Sequence, residues 1–264
     1  MLSFVYLVFI VFTRSAALFK VTVPTEHVVA VHGIPTVLGC VFTRSTEPDI
    51  ESLVVTWQRT EDSRVVHSFY YGRDQLERQS SDYHNRTGLF ASELANGNAS
   101  LMIRMVSPED VGKYLCTVSS AKGTDKAQLQ LDYGAFYSEP RLSIAVNNTS
   151  VTLQYETEGF PEPEVRWLGE MGQNLSHRTE LTPLMNRSGL FSLRSRFEGP
   201  APQLNVTFIL TNHLLKQVLK RPVYYDNGGD IAHNGSNGII ITLSLVCVAL
   251  SLIILFVCYH RKKH

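Results

Sequence analysis

Along most of this chain, apolar residues recur at every second position in short runs separated by turn residues, and no long 3.6-residue period is present. Side chains at i and i+2 lie on one face of a strand, so these runs predict half-buried β-strands. Leu38, Cys40 and Phe42 share one parity, as do Leu53, Val55 and Trp57, then Leu101 and Ile103, then Tyr114, Cys116 and Val118. Together they predict one inner layer of a sandwich. Further on, Val151, Leu153 and Tyr155 alternate, Val165 and Trp167 resume the inward parity after Phe160-Pro161-Glu162-Pro163, and Val206, Phe208 and Leu210 alternate again. Two apolar runs do not alternate at all: residues 2–12 near the start and residues 239–258 near the end.

The first group of strands carries further signals. Cys40 and Cys116 stand 76 residues apart with Trp57 between them. In a secreted sandwich such cysteines bridge the two sheets, and the indole packs on the bridge. The segment Asp110-Val111-Gly112-Lys113-Tyr114-Leu115-Cys116 places Tyr114 two residues before the second cysteine. That is the position of the tyrosine corner, whose hydroxyl bonds back to upstream backbone. Asp110 falls at the turn before that strand, where a carboxylate can pair with an arginine from the facing edge, and Arg86 is the best-placed partner. Cysteine, tryptophan and Asp-x-Gly-x-Tyr-x-Cys in this order predict an immunoglobulin domain. The long spacing leaves room for the two extra strands of the variable type.

The second group reads as a constant-type sandwich with a substitution at its centre. Where two cysteines belong it has Tyr155 and Phe208, 53 residues apart, and Val206 holds the tyrosine-corner position. Both replacements keep large apolar groups facing inward, around Trp167. Losing a native bridge costs about 2–5 kcal/mol, so a folded domain less stable than a bridged one is expected. The predicted fold class is all-β, with two tandem immunoglobulin-like sandwiches, variable-type then constant-type, plus one C-terminal transmembrane helix.

Compartment follows from the two non-alternating runs. Residues 2–12 are too short to span a bilayer, which takes about 20 residues, and Ser15-Ala16-Ala17 follows with small residues suited to cleavage. Residues 1–17 are therefore expected to be a signal peptide. The 20 uncharged residues 239–258 are followed by His260-Arg261-Lys262-Lys263-His264. Basic residues after a span mark the cytoplasmic side. The expected order is a variable-type domain at 18–132, a constant-type domain at 138–225, a stalk at 226–237, a membrane helix at 238–259 and a cytoplasmic tail at 260–264. Asparagines support an exported middle. Of 12 asparagines, eight begin Asn-x-Ser/Thr sequons: Asn85, Asn98, Asn147, Asn148, Asn174, Asn186, Asn205 and Asn234. Chance would place roughly two there.

Local motifs now narrow the family. Val66-His67-Ser68-Phe69-Tyr70-Tyr71-Gly72-Arg73-Asp74-Gln75-Leu76 is similar to a strand and turn of the B7 family of T-cell co-signalling ligands, relatives of the butyrophilins. Asn85-Arg86-Thr87-Gly88-Leu89-Phe90 with Gly97-Asn98-Ala99-Ser100-Leu101 resembles another pair of that family's motifs, closest to its homologue 3 and 4 branch. Gly134-Ala135-Phe136-Tyr137 and Thr211-Asn212-His213-Leu214-Leu215-Lys216-Gln217 also fit. The missing second bridge departs from the pattern. A cleaved leader with one stop-transfer span and sequons between them predicts a single-pass type I glycoprotein of the plasma membrane with its ectodomain outside, and the resemblance agrees. The resemblance also implies a protein receptor on T cells as partner and modulation of T-cell activation, of unassigned sign.

Charge and chemistry exclude other classes. Lys+Arg 24 against Asp+Glu 24 gives zero net charge, unlike the basic excess of a nucleic-acid binder. With Arg14 in the leader and Arg261, Lys262 and Lys263 in the tail, 24 − 4 leaves 20 basic residues against 24 acidic ones outside, about −4. No nucleophile elbow, phosphate loop or zinc-protease motif is present. Ser119-Ser120-Ala121-Lys122 matches Ser-x-x-Lys only as ordinary turn residues. His27 and His32 lack a third ligand, so neither a metal nor a cofactor is expected. Binding remains. Phe69, Tyr70 and Tyr71 are consecutive aromatics, so at least one must point outward as an interface anchor, unless all pack locally. Ser119 and Lys122 lie in a small polar hairpin suited to contact. A homodimer stays open, and the competing function is homophilic or heterophilic adhesion without immune signalling.

Overall fold

The computed structural model describes residues 19–44, 49–184, 189–201 and 203–226. The expected leader, nearly all of the stalk, the membrane span and the tail, with Asn186 and Asn234, lie outside the described residues. No helix among the described residues is long and apolar enough to cross a membrane. The chain divides after Tyr133 into two compact units.

The first unit is built on a six-stranded sheet. Its order is His27–Val31, Gly123–Gly134, Gly112–Ser120, Val54–Arg59, Val65–Tyr70 and Arg73–Asp74. The last two are the extra strands expected of a variable-type domain. Thr36–Leu38, Leu101–Ile103 and Thr87–Leu89 form a three-stranded sheet, and Val21–Thr22 pairs with Val41–Phe42. The parity sets meet in the core: Leu38, Val55, Trp57, Leu101, Ile103, Tyr114 and Val118 are all fully buried. Cys40, just past the three-stranded sheet, is bridged to Cys116 of the six-stranded sheet with 6.5 Å between their Cα atoms. Trp57 opposes Cys116 directly in register, and its indole N–H donates to the Ala99 carbonyl at 2.9 Å. Gly97 makes the turn before that carbonyl possible. Its φ is +81°, and a Cβ there would stand 2.5 Å from the Phe42 carbonyl oxygen.

The second unit has a four-stranded sheet, Arg141–Val146, Ser150–Gly159, Phe191–Pro200 and Arg178–Pro183 in that order, and a three-stranded sheet of Glu164–Gly169, Gln203–Asn212 and Gln217–Asp226. This arrangement is consistent with a second immunoglobulin-like sandwich. Its core is aromatic. Tyr155 from the four-stranded sheet stacks on Phe208 from the three-stranded sheet, ring centroids 4.5 Å apart. Trp167 lies 5.3 Å from Phe208 and 5.3 Å from Phe197. Its indole N–H donates to the Ser195 hydroxyl at 2.9 Å. Stacked and edge-on aromatic pairs contribute about 0.5–1.5 kcal/mol each beyond their buried area, so the cluster offsets part of what a bridge would supply.

One group in that cluster is ill served. The Tyr155 hydroxyl is buried and has no hydrogen-bond partner among the described residues, and burial pushes its pKa up to about 12. Two results are expected. Tyr155→Phe keeps the stack and removes an unpaired donor, so it stabilises the second unit by about 1 kcal/mol, measured as a raised urea midpoint. The pH dependence has a definite sign. Below about pH 10 the ring is neutral both folded and unfolded, and the native state keeps its full stability. As pH rises from 10 towards 12, the unfolded chain releases a proton that the folded chain holds, and stability falls. Urea midpoints across pH 8–12 should show that loss, and Tyr155→Phe should reduce it.

Candidate functional site

A charged clasp closes one end of the first unit. Arg86 precedes Thr87–Leu89, while Asp110 ends a single 3-10 turn, Pro108–Asp110, before Gly112–Ser120. The turn is capped reciprocally: Asp110 Oδ2 accepts the Ser107 N–H at 2.9 Å. Arg86 donates to both carboxylate oxygens of Asp110, at 2.9 Å and 2.7 Å, and to the Met105 carbonyl at 2.9 Å. The bond to Asp110 is the main reason the guanidinium pKa rises above its ordinary value. The Tyr114 hydroxyl donates to the Asp110 carbonyl at 2.7 Å and lies 3.0 Å from the Tyr83 hydroxyl. Burial raises the pKa of both phenols.

Alternation then exposes the other face of the six-stranded sheet. The core side takes Val55, Trp57, Tyr114, Cys116 and Val118, so their neighbours point outward in transverse rows. Gln128, Leu115 and Gln58 form one row; Lys126, Thr117, Thr56 and Ser68 form the next; Thr124, Ser119 and Val54 form a third. Lys126 is the single charged side chain in these three rows, and the same face continues to Lys113, opposite Gln130, and to Arg73, opposite Tyr70. Val54 is exposed and Leu115 half-buried.

The three consecutive aromatics divide. Phe69 opposes Val55 and is buried in the core, so it offers nothing to a partner. The expectation that it could contact a receptor is corrected by this register. Tyr70 is half-buried on the outward side, and Tyr71 is 75% exposed at the turn, with φ +54° and its ring 5.3 Å from that of Tyr70. Ser119 lies on the outward face, accepting from the Thr124 hydroxyl at 2.9 Å. Lys122 is exposed at the hairpin tip, its backbone N–H donating to the Ser120 hydroxyl at 3.2 Å.

Sequence reasoning missed a buried polar group beneath this face. His67 is fully buried, with Nε2 3.0 Å from Asp74 Oδ1 and Nδ1 3.0 Å from Thr87 Oγ1. Gln79 donates to Thr87 Oγ1 at 2.7 Å and to the Val66 carbonyl at 2.9 Å. Nothing in the local spacing brings those four together; the only hint was a histidine among apolar strand residues. His32 sits 2.8 Å from the Tyr133 hydroxyl. No metal-holding cluster occurs among the described residues.

The sequon asparagines differ in setting. Asn85, Asn147, Asn148, Asn174 and Asn205 are exposed, while Asn98 is half-buried and its Oδ1 accepts the Ser100 N–H at 3.0 Å. Asn147 Oδ1 accepts the Thr149 and Ser150 N–H groups at 2.9 Å and 2.7 Å.

Residues 22–132 match the immunoglobulin V-set domain. The human V-set domain-containing T-cell activation inhibitor 1 is 35% identical over 157 residues, covering 58% of this chain and 54% of the relative. Mouse programmed cell death 1 ligand 1 is 31% identical over 191 residues, covering 70% of this chain and 65% of the relative. A crystal structure of bovine butyrophilin superposes with a TM-score of 0.65 at 25% identity, over 78% of this chain and 97% of that one. Residues 22–132 belong to the immunoglobulin V-set family, and the chain is similar to B7-type ligands and to butyrophilin. It spans about half the length of the T-cell activation inhibitor relatives it matches. The V-set match and these relatives mark it as a non-enzymatic immunoglobulin protein. The clasp ties its strand and turn together at one end of the domain, while the outward sheet face leaves Val54 and Lys126 exposed.

The clasp can be tested alone. The side chains of Arg86 and Asp110 are 15% and 4% exposed, so removing one strands the other. Asp110→Ala should cost about 3–5 kcal/mol, read from urea denaturation of the full chain followed by tryptophan fluorescence. Replacing Arg86 and Asp110 together by Met and Leu should cost clearly less.

Proposed function

We propose that this chain is a cell-surface co-signalling ligand whose V-set domain binds a protein receptor on T cells and modulates their activation. The observation that carries this reading is the outward face of the six-stranded sheet. Its central rows hold hydroxyl, amide and aliphatic side chains with Lys126 as their one charge, while Lys113 and Arg73 stand towards its ends and the exposed ring of Tyr71 flanks it. Depletion of charge with an aromatic anchor is the composition of an interface core. Leu115 and Thr117 form the centre of the proposed contact, with Tyr70, Tyr71, Ser119 and Lys122 along its border.

The rest of the molecule fits delivery of that face to another cell. A leader at 1–17, a constant-type domain at 138–225 as spacer, a stalk at 226–237 and a span at 238–259 with its tail at 260–264 make a type I protein of the plasma membrane. The sequons then face outside, ready to carry carbohydrate. The human relative's name, an inhibitor of T-cell activation, sets the expected sign as inhibitory.

Cells displaying the full chain should bind activated T cells and lower their proliferation. Leu115→Asp and Tyr71→Ser should each reduce that binding about tenfold or more at unchanged surface level. Met171→Ser, at an 89% exposed site in the second unit, should leave it intact. Clustering of the displaying cells with one another, with no T-cell binding, would instead identify an adhesion molecule.

A further inference from the structure

An aromatic ring lies on the outer face of the second unit, away from the aromatic core. Tyr224 lies in Gln217–Asp226, the edge strand of the three-stranded sheet, and is 37% exposed. Two hydrogen bonds fix its ring: the hydroxyl accepts from Gln203 Nε2 at 3.0 Å and donates to Asp226 Oδ2 at 3.1 Å. The ring is therefore held by its polar tip on a partly exposed surface.

Register places Tyr224 directly opposite Asn205, and Pro222 directly opposite Thr207. Residues paired in this way share a face with their Cβ atoms about 4.5–5.5 Å apart. Asn205-Val206-Thr207 is a sequon, so its acceptor nitrogen emerges beside this ring and its hydroxyl residue beside an exposed proline. Asn205 and Tyr224 also line a surface cavity of about 290 Å³, with Glu170 and Gln173 among its polar groups and Leu204 among its apolar ones.

We propose that Tyr224 and Pro222 form a carbohydrate platform for the glycan of this chain's own Asn205. An N-acetylhexosamine has one face of C–H groups and a rim of hydroxyl and acetamido groups. The C–H face suits the negative face of an aromatic ring, and the rim suits the amide of Gln173 and the carboxylate of Glu170. The first sugar lies back on Tyr224 and shields apolar surface at the mouth of the cavity. A sandwich with rings in place of its inter-sheet bridge gains stability from its own modification. The inference rests on the reading that Asn205 is glycosylated, and the two can fail separately.

The test is a double-mutant cycle on the full chain made in mammalian cells, read as the thermal midpoint of the second unit, with glycopeptide mass spectrometry reporting occupancy of Asn205. Tyr224→Ser should lower the midpoint by about 4 °C or more when Asn205 carries sugar, and by nothing measurable in Asn205→Gln. Thr207→Val, which removes the sequon without touching the asparagine, should behave as Asn205→Gln does. Tyr224→Phe keeps the ring and should retain most of the coupling. An occupied Asn205 with additive effects of the two substitutions overturns the platform alone. An unmodified Asn205 overturns both the platform and the reading of this sequon.

Discussion

The carboxylate of Asp110 is buried inside the first unit, where Arg86 meets both of its oxygens. That pairing joins the strand carrying Thr87–Leu89, on one sheet, to the turn that launches Gly112–Ser120, on the other. From there the tyrosine corner fixes the start of the launched strand, and two residues later Cys116 is fixed with it. The outward parity of Leu115, Thr117 and Ser119 is then decided by the same strand. A buried pair of this kind is costly to desolvate and more costly to break. Its value lies in position more than in net energy, because it sets which side chains the open face presents.

The second unit meets the same problem of joining two sheets by other means. Tyr155 and Phe208 touch across the interior where the first unit has sulfur, and Trp167 braces both. A covalent bridge acts chiefly on the unfolded chain by limiting its freedom. Stacked rings act on the folded chain by burial and dispersion, which depend on close fit. The two sandwiches can therefore respond differently: the first unit is sensitive to reduction, while the second depends on how well its rings pack.

Period-2 parity made most of the core legible in the sequence. Trp57, Tyr114 and Cys116 needed only local spacing, and Arg86 needed only a charge in want of a partner. Phe69 and Tyr70 were not separable, because the direction of that strand depends on a register shift between Trp57 and Gln58. A shift of one residue turns every later side chain to the opposite face, and nothing in the order of three aromatics records it. The polar group around His67 was hidden for a related reason. Asp74, Gln79 and Thr87 reach it from separate turns and strands, so it exists only once the chain has folded. Tyr155 and Phe208 could be placed facing inward from parity alone, but the stranded hydroxyl of Tyr155 required atoms.

The six-stranded sheet ends at Arg73–Asp74, two exposed residues of opposite charge. A long flat edge would offer unpaired backbone groups to any passing strand, and proteins blunt such edges by shortening them and charging them. Here the blunting lies beside the face that is open to partners. Association along this edge would carry the sheet from one molecule into a second. With this edge blunted, a partner that approaches this end of the sheet meets side chains and not backbone, and side chains decide the match.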